Sequence, residues 1–341
     1  MIGPLMIDLK GKIITPEERI ILAHPLIGGV ILFTRNYESI VQLERLTADI
    51  HSIKKDSKLL IAVDHEGGRV QRFRAHFTQL PPARIFGEIY DHNSKYACDT
   101  AATVGWLMAV ELQSVGVDFS FAPVLDIDLG MSSVIGDRAF HTDPKIVTIL
   151  AKAYIQGMKN ARMATVGKHF PGHGSVVADS HLECPIDTRT LDAIKARDLI
   201  SFRELISKLD GIMPAHILYT SIDSQPASFS EVWLKSILRN ELGFKGAIIS
   251  DDLTMAGAST IGNMVERVYK TLAAGGDMAL ICNYNGGYST LLKELDKITP
   301  NLESSNRLAK FYSQEFMNRT QLQQSLAWHK AVEAITNLPF R

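Results

Sequence analysis

Residues 59–63 read LLIAV, and residues 64–72 continue as DHEGGRVQR. Five apolar residues in succession, with no polar alternation, describe a strand buried on both faces, as in a parallel sheet covered by helices. The change at Asp64 then puts a charged loop at the carboxyl end of that strand. If the pairing of apolar run and polar exit recurs, the fold is one that gathers side chains at one end of its strands.

It recurs along most of the chain. Short runs rich in Val, Ile and Leu occupy Leu5–Asp8, Gly29–Phe33, Val117–Ala122, Ala164–Gly167, Gly211–Pro214, Ala247–Ser250 and Met278–Cys282. Helical periodicity fills the gaps. Thr15, Pro16 and Glu18 supply a cap, a proline at the first helical position and a capping box. Ser94 opens a segment whose Ala97, Ala101, Val104, Met108 and Leu112 step by three and four, and Gly116 stops it. Asp143 and Pro144 start another helix, Thr190 one that runs to Leu209, and Ser230–Leu242, Met264–Ala274 and Tyr288–Ile298 complete the set. Strands that alternate with helices in this number predict a (β/α)8 TIM barrel in a single domain, residues 1–341, with 300–341 a helical segment packed on the barrel. A doubly wound open sheet fits the same alternation, but the chain has no dinucleotide-binding fingerprint.

The composition narrows the partners. Lys plus Arg number 36 against 37 for Asp plus Glu, so no broad positive field exists for nucleic acid or an anionic membrane. No apolar run is long enough to span a bilayer, and the N-terminal MIGPLMIDLKG has no basic leader. Cys98, Cys184 and Cys282 are few and widely spaced, which argues against a disulfide framework and for a reducing cytoplasm. A monomer is the expectation for oligomeric state.

Barrel enzymes build their sites just after the strands. There this chain carries Asp64, then Asp126, Asp128, Asp137 and Arg138, then Lys168 and His169, then His216, then Asp251 and Asp252. Taken singly, Asp64 and Asp252 read equally well as helix caps. Their collection at one rim is what points to a site. Three chemistries compete for it. A metal site could use His169 and His173 with His216 or Asp251, although Pro171 and Gly172 within HFPGH prevent the helical spacing of HExxH. A Schiff-base enzyme could use Lys168, which would need a depressed pKa that neighbouring carboxylates oppose. Glycoside cleavage needs a carboxylate on one side of the sugar and a proton donor on the other. Asp251, leaving the strand AIIS, suits the first part. Glu66 lies in a glycine-rich loop and no glutamate follows a late strand, so His181, with Asp179 two residues before it, is the candidate donor. Gly172, Gly174 and the small Ala178 would let that loop move over bound substrate.

VDHEGGRVQR, GDRAF, KHFPGHG, DSH and SDDLTM, in this order, resemble glycoside hydrolase family 3, in particular the single-domain bacterial beta-N-acetylglucosaminidases of cell-wall recycling. The resemblance runs from about Gly3 to about Asn285. It implies a retaining exo-hydrolase that needs no cofactor or metal and removes N-acetylglucosamine from N-acetylglucosaminyl-1,6-anhydro-N-acetylmuramic acid and its peptides in the cytoplasm. It implies Asp251 as nucleophile, His181 as acid/base with Asp179 as its partner, and Asp64, Arg72, Arg138, Lys168 and His169 as sugar-binding groups. Relatives of this type also work as phosphorylases, which stays open here. His65 stands where relatives often carry Gln, and is expected to alter hydrogen bonding near Asp64.

Overall fold

The strands β1 (Leu5–Asp8), β2 (Ile27–Leu32), β3 (Leu60–Val63), β4 (Phe119–Ser120), β5 (Val166–Phe170), β6 (Gly211–Pro214), β7 (Ala247–Asp252) and β8 (Met278–Ile281) form one parallel sheet. They are drawn from a computed structural model that describes residues 1–55, 57–132, 134–176, 184–313 and 317–338. Neighbours in sequence are neighbours in space, and β1 also pairs with β8 through Met6 and Leu280. The remaining gap closes where Val124, just past β4, bridges Lys168 in β5, and Leu125 N donates to Lys168 O at 2.6 Å. The sheet is therefore a barrel, and nearly every strand residue is buried because side chains fill its inside and helices cover its outside.

Aspartates at the amino-terminal end of the barrel act as fasteners. Asp118, Asp210 and Asp277 stand immediately before β4, β6 and β8, and their carboxylates accept from Ile61 N at 2.8 Å, Thr165 N at 3.0 Å and Ile248 N at 2.8 Å. Each satisfies a backbone donor that the neighbouring strand's end would otherwise leave buried and unpaired. Asp277 also holds Arg239 and Arg307. Aspartate at the other end of the strands has different company.

Two helices absent from the sequence expectation are present. Ile40–Ser52 is capped by Ser39 and buries Leu43, Leu46 and Ile50, and Arg84–Tyr90 buries Phe86. The helix expected from Thr190 to Leu209 is broken into Leu191–Lys195 and Leu199–Leu205. Asp198 stands at the break, where its buried carboxylate accepts from Arg189 Nη1 at 2.8 Å and Ser175 Oγ at 2.9 Å. Val232–Glu241 is a π-helix. After Thr299, helices Leu302–Leu308, Arg319–Gln323 and Leu326–Thr336 follow, the last two packing on helix Ser94–Gln113 outside the barrel. Among the described residues no helix is long and apolar enough to cross a membrane.

Candidate active site

A cavity of about 480 Å³ opens at the carboxyl ends of the strands, and Asp64, Arg72, Arg138, Lys168, His169 and Asp251 all line it. That volume is ordinary for a small-molecule site. Asp64, Lys168, His169 and Asp251 come from three strand ends, Arg72 follows the hairpin His65–Gly67/Val70–Gln71, and Arg138 ends a 3-10 turn, Gly136–Arg138, in the loop after β4, so barrel closure and two rim loops bring them together.

Lys168 sits at the centre of a charge ladder. Its side chain is 2% exposed, and Nζ donates to Asp64 Oδ1 at 2.9 Å and meets Glu66 Oε1 at 2.6 Å. Glu66 takes Arg138 through two parallel bonds of 2.8 Å, and Arg72 approaches Asp64 Oδ2 at 3.5 Å while lying over the Phe33 ring. Burial alone would lower the Lys168 ammonium, but Asp64 and then Glu66 outweigh it and hold it above its ordinary value. For the two carboxylates burial acts upward, and the neighbouring cations overcome it and hold both below the usual range. A lysine so paired stays protonated and does not act as a Schiff-base nucleophile.

The Lys168–His169 and Phe170–Pro171 peptide bonds are cis. Asp126 organises this turn and the residues just beyond it. Its buried carboxylate accepts from His169 N at 3.2 Å and His173 N at 2.7 Å and lies 2.7 Å from His169 Nδ1. The imidazole thereby has its Nδ1 side fixed, leaving Nε2 as its other polar edge. His173 lines the same cavity, and burial, then the neighbouring His169, lowers its pKa to about 4.

Asp251 ends the apolar part of β7. Burial would raise its pKa, but His169, His216 and the N–H of Asp252, at 2.8 Å from Oδ1, outweigh this and keep it below the ordinary carboxylate value. It is an anion at neutral pH. Asp252 is different: its carboxylate accepts from Thr254 N, Thr254 Oγ1 and Cys282 N at 2.9, 2.7 and 3.0 Å, and so fastens the turn after β7. His216 is buried, with Nδ1 2.6 Å from Ser228 Oγ and Nε2 3.1 Å from Asp252 O. Among the described residues no group of three or more His, Cys, Asp or Glu side chains is arranged to hold a metal ion.

The profile of the glycosyl hydrolase family 3 N-terminal domain matches residues 6–310. The chain belongs to glycosyl hydrolase family 3. Curated family relatives include a beta-hexosaminidase of Nitrosospira multiformis, 55% identical over 86% of this chain and 84% of its own, and one of Thioalkalivibrio sulfidiphilus, 51% identical over 99% and 96%. The structure of NagZ from Neisseria gonorrhoeae in complex with N-trifluoroacetyl-D-glucosamine superposes with a TM-score of 0.91 at 42% identity, covering 99% of this chain and 98% of that one. The family 3 member described here is thus similar to these proteins over 86% to 99% of its length.

Two residues expected in the family 3 site, Asp179 and His181, fall in 177–183 and lie outside the described residues. The segment leading to them is described, and its glycines have a use other than movement. A Cβ on Gly174 would lie 1.7 Å from Ile127 O, and one on Gly172, where φ is +145°, would lie 2.8 Å from Asp198 Cβ. Tyr219 Oη also donates to Gly172 O at 2.8 Å. These glycines permit close approach to the barrel rim and pin the base of the loop.

Reasoning from residues passes over Glu66, because a glutamate in a glycine-rich loop reads as exposed. The hairpin gives it direction: Asp64 and Glu66 face the cavity, while His65 between them turns the other way, as strand periodicity requires. His65 packs between Phe73 and Phe77, each 5.8 Å away by ring centroid, and burial, then Arg74 and Arg72, lowers its pKa to about 3. His65 thus belongs to an aromatic cluster on the side of the hairpin away from the cavity. The alternation of Asp64, His65 and Glu66 is the signal that could have found Glu66.

Proposed function

We propose that the chain is a retaining exo-beta-N-acetylglucosaminidase that releases N-acetylglucosamine from N-acetylglucosaminyl-1,6-anhydro-N-acetylmuramic acid and its peptides. The observation that carries the reading is one cavity lined both by an ionised, half-buried carboxylate, Asp251, and by a ladder of charges suited to sugar hydroxyls. NagZ's complex with an N-acylglucosamine, and the beta-hexosaminidase relatives, support the choice of sugar.

The mechanism follows from these groups. Asp64, Lys168, Arg138, Arg72 and His169 hold the nonreducing sugar through its hydroxyls, with donors and acceptors alternating along the ladder. Asp251 attacks the anomeric carbon while His181, protonated and oriented by Asp179, gives its proton to the leaving oxygen. The carbon–oxygen bond to the aglycone breaks and a glycosyl ester on Asp251 forms. Neutral His181 then takes a proton from water, whose oxygen displaces Asp251 with overall retention. Asp126 contributes by fixing His169.

On this reading residues 1–341 form one catalytic domain that acts as a monomer in the cytoplasm. Free Cys98, Cys184 and Cys282 support a reducing compartment. The test is product analysis with N-acetylglucosaminyl-anhydromuramic acid, in water and again in phosphate. Free N-acetylglucosamine in both supports the reading; sugar phosphate as the main product in phosphate, or an uncleaved disaccharide, overturns it.

A further inference from the structure

We infer that Glu66 is a positioning residue, which keeps Lys168 and Arg138 aimed at the sugar without itself binding it. The inference rests on the proposed function and deepens it.

The ladder runs Arg72, Asp64, Lys168, Glu66, Arg138, alternating in sign. The two carboxylates in it are not equivalent. Asp64 has a side chain 21% exposed and a loose 3.5 Å contact to Arg72, so it retains accepting capacity toward the cavity. Glu66 is 8% exposed, and its oxygens already take Arg138 Nε, Arg138 Nη2 and Lys168 Nζ at 2.8, 2.8 and 2.6 Å. A carboxylate so occupied has little left to offer a sugar hydroxyl.

What it offers is control of two cations. An arginine fork gripped in bidentate fashion has its plane fixed, and the remaining N–H groups then point in set directions. Arg138 has no other carboxylate bonded to it among the described residues, its further bond being to Val134 O at 3.1 Å. Lys168 is a point charge on a flexible stem, directed only by its acceptors, and Asp64 supplies the other half of its support. Remove the charge of Glu66 and burial, together with Arg138, is opposed at Lys168 by Asp64 alone. The ammonium then loses its proton at lower pH.

The experiment compares the parent with Glu66→Gln and Glu66→Asp in two assays. Steady-state cleavage of an aryl beta-N-acetylglucosaminide separates KM from kcat. The rise in Tm induced by N-acetylglucosamine, from about pH 6 to about pH 10, reads sugar binding without turnover. Glu66→Gln is expected to raise KM roughly 10- to 100-fold, the scale of losing a group that orients a binding residue, with a smaller change in kcat. Its sugar-induced Tm rise should fade toward the upper end of this range, where that of the parent, whose Lys168 is held above its ordinary value, persists. Glu66→Asp should recover part of both effects, and it carries the comparison alone if Glu66→Gln does not fold.

A folded Glu66→Gln with parental KM and parental pH dependence overturns the inference. So does a weakened variant whose pH dependence is unmoved, or a Glu66→Asp no different from parent, because a scaffold role predicts those results. A parent that binds the sugar but does not cleave the glycoside overturns the proposed function and leaves the Tm comparison to judge Glu66.

Discussion

Replacing Lys168 by Met deletes one buried cation and keeps nearly its volume. Removing one partner of a buried ion pair typically costs about 3–5 kcal/mol. Here the lower end applies, since Asp64 keeps Arg72 and Glu66 keeps Arg138. An unfolding entropy of about 2.1 cal/mol/K per residue, over 341 residues, makes about 3 kcal/mol equivalent to a fall in Tm of about 4 °C near neutral pH. The sign of its pH dependence follows from the shifts. Asp64 and Glu66 have folded pKa values depressed by their cations, so their contribution is present above an unfolded value of about 4 and is lost as pH falls through the folded values. Lys168 is raised, so its contribution is present below about pH 10.4 and is lost as pH rises through the folded value. The Tm gap between parent and Lys168→Met should therefore be widest near neutrality and narrow toward both extremes. Differential scanning calorimetry across pH measures it. A variant as stable as the parent at pH 7, or a gap constant from about pH 7 to about pH 3, would refute the ladder as drawn.

Other outcomes follow from the same geometry. Gly174→Ala must displace backbone at Ile127 and should lower stability by about 2 kcal/mol or more, read by urea midpoint; a neutral result would mean the loop base is not pinned. Asp126→Asn should leave the barrel folded yet lower kcat/KM by about 10- to 100-fold through misorientation of His169, and parental kinetics would count against that role. His181→Ala should impair the natural disaccharide far more than an aryl glycoside with a good leaving group, since the latter needs little protonation; equal losses would exclude the acid role. Activity should persist in excess chelator, and its loss with restoration by zinc would revive the metal alternative.

The barrel is legible in the sequence because its strands are continuous apolar runs followed at once by charge, a pattern tied to burial on both faces. The rim is legible for the same reason, since Asp64, Lys168 and Asp251 each stand where a strand stops being apolar. Other features depend on contacts far apart in the chain. Nothing local to Asp198 says that Arg189 and Ser175 will converge on it, so the pattern from Thr190 reads as one unbroken helix. Glu66 and Asp126 are undervalued by a local reading because their partners, Arg138, Lys168 and His169, lie tens of residues away. Gly172 and Gly174 look like hinges because a sequence does not display the carbonyl or side chain that a Cβ would strike. The helix Ile40–Ser52, by contrast, carries its stripe of Leu43, Leu46 and Ile50 openly in the sequence.

The most direct test concerns Asp251. A 2-deoxy-2-fluoro or 5-fluoro glycosyl donor slows release of the sugar from the enzyme, and peptide mapping then locates the bound sugar. The account predicts a stable ester on the peptide containing Asp251, with Asp64 and Asp252 unlabelled and the adduct absent in Asp251→Asn. Label on another carboxylate, or inhibition by turnover with no labelled peptide at all, would contradict it.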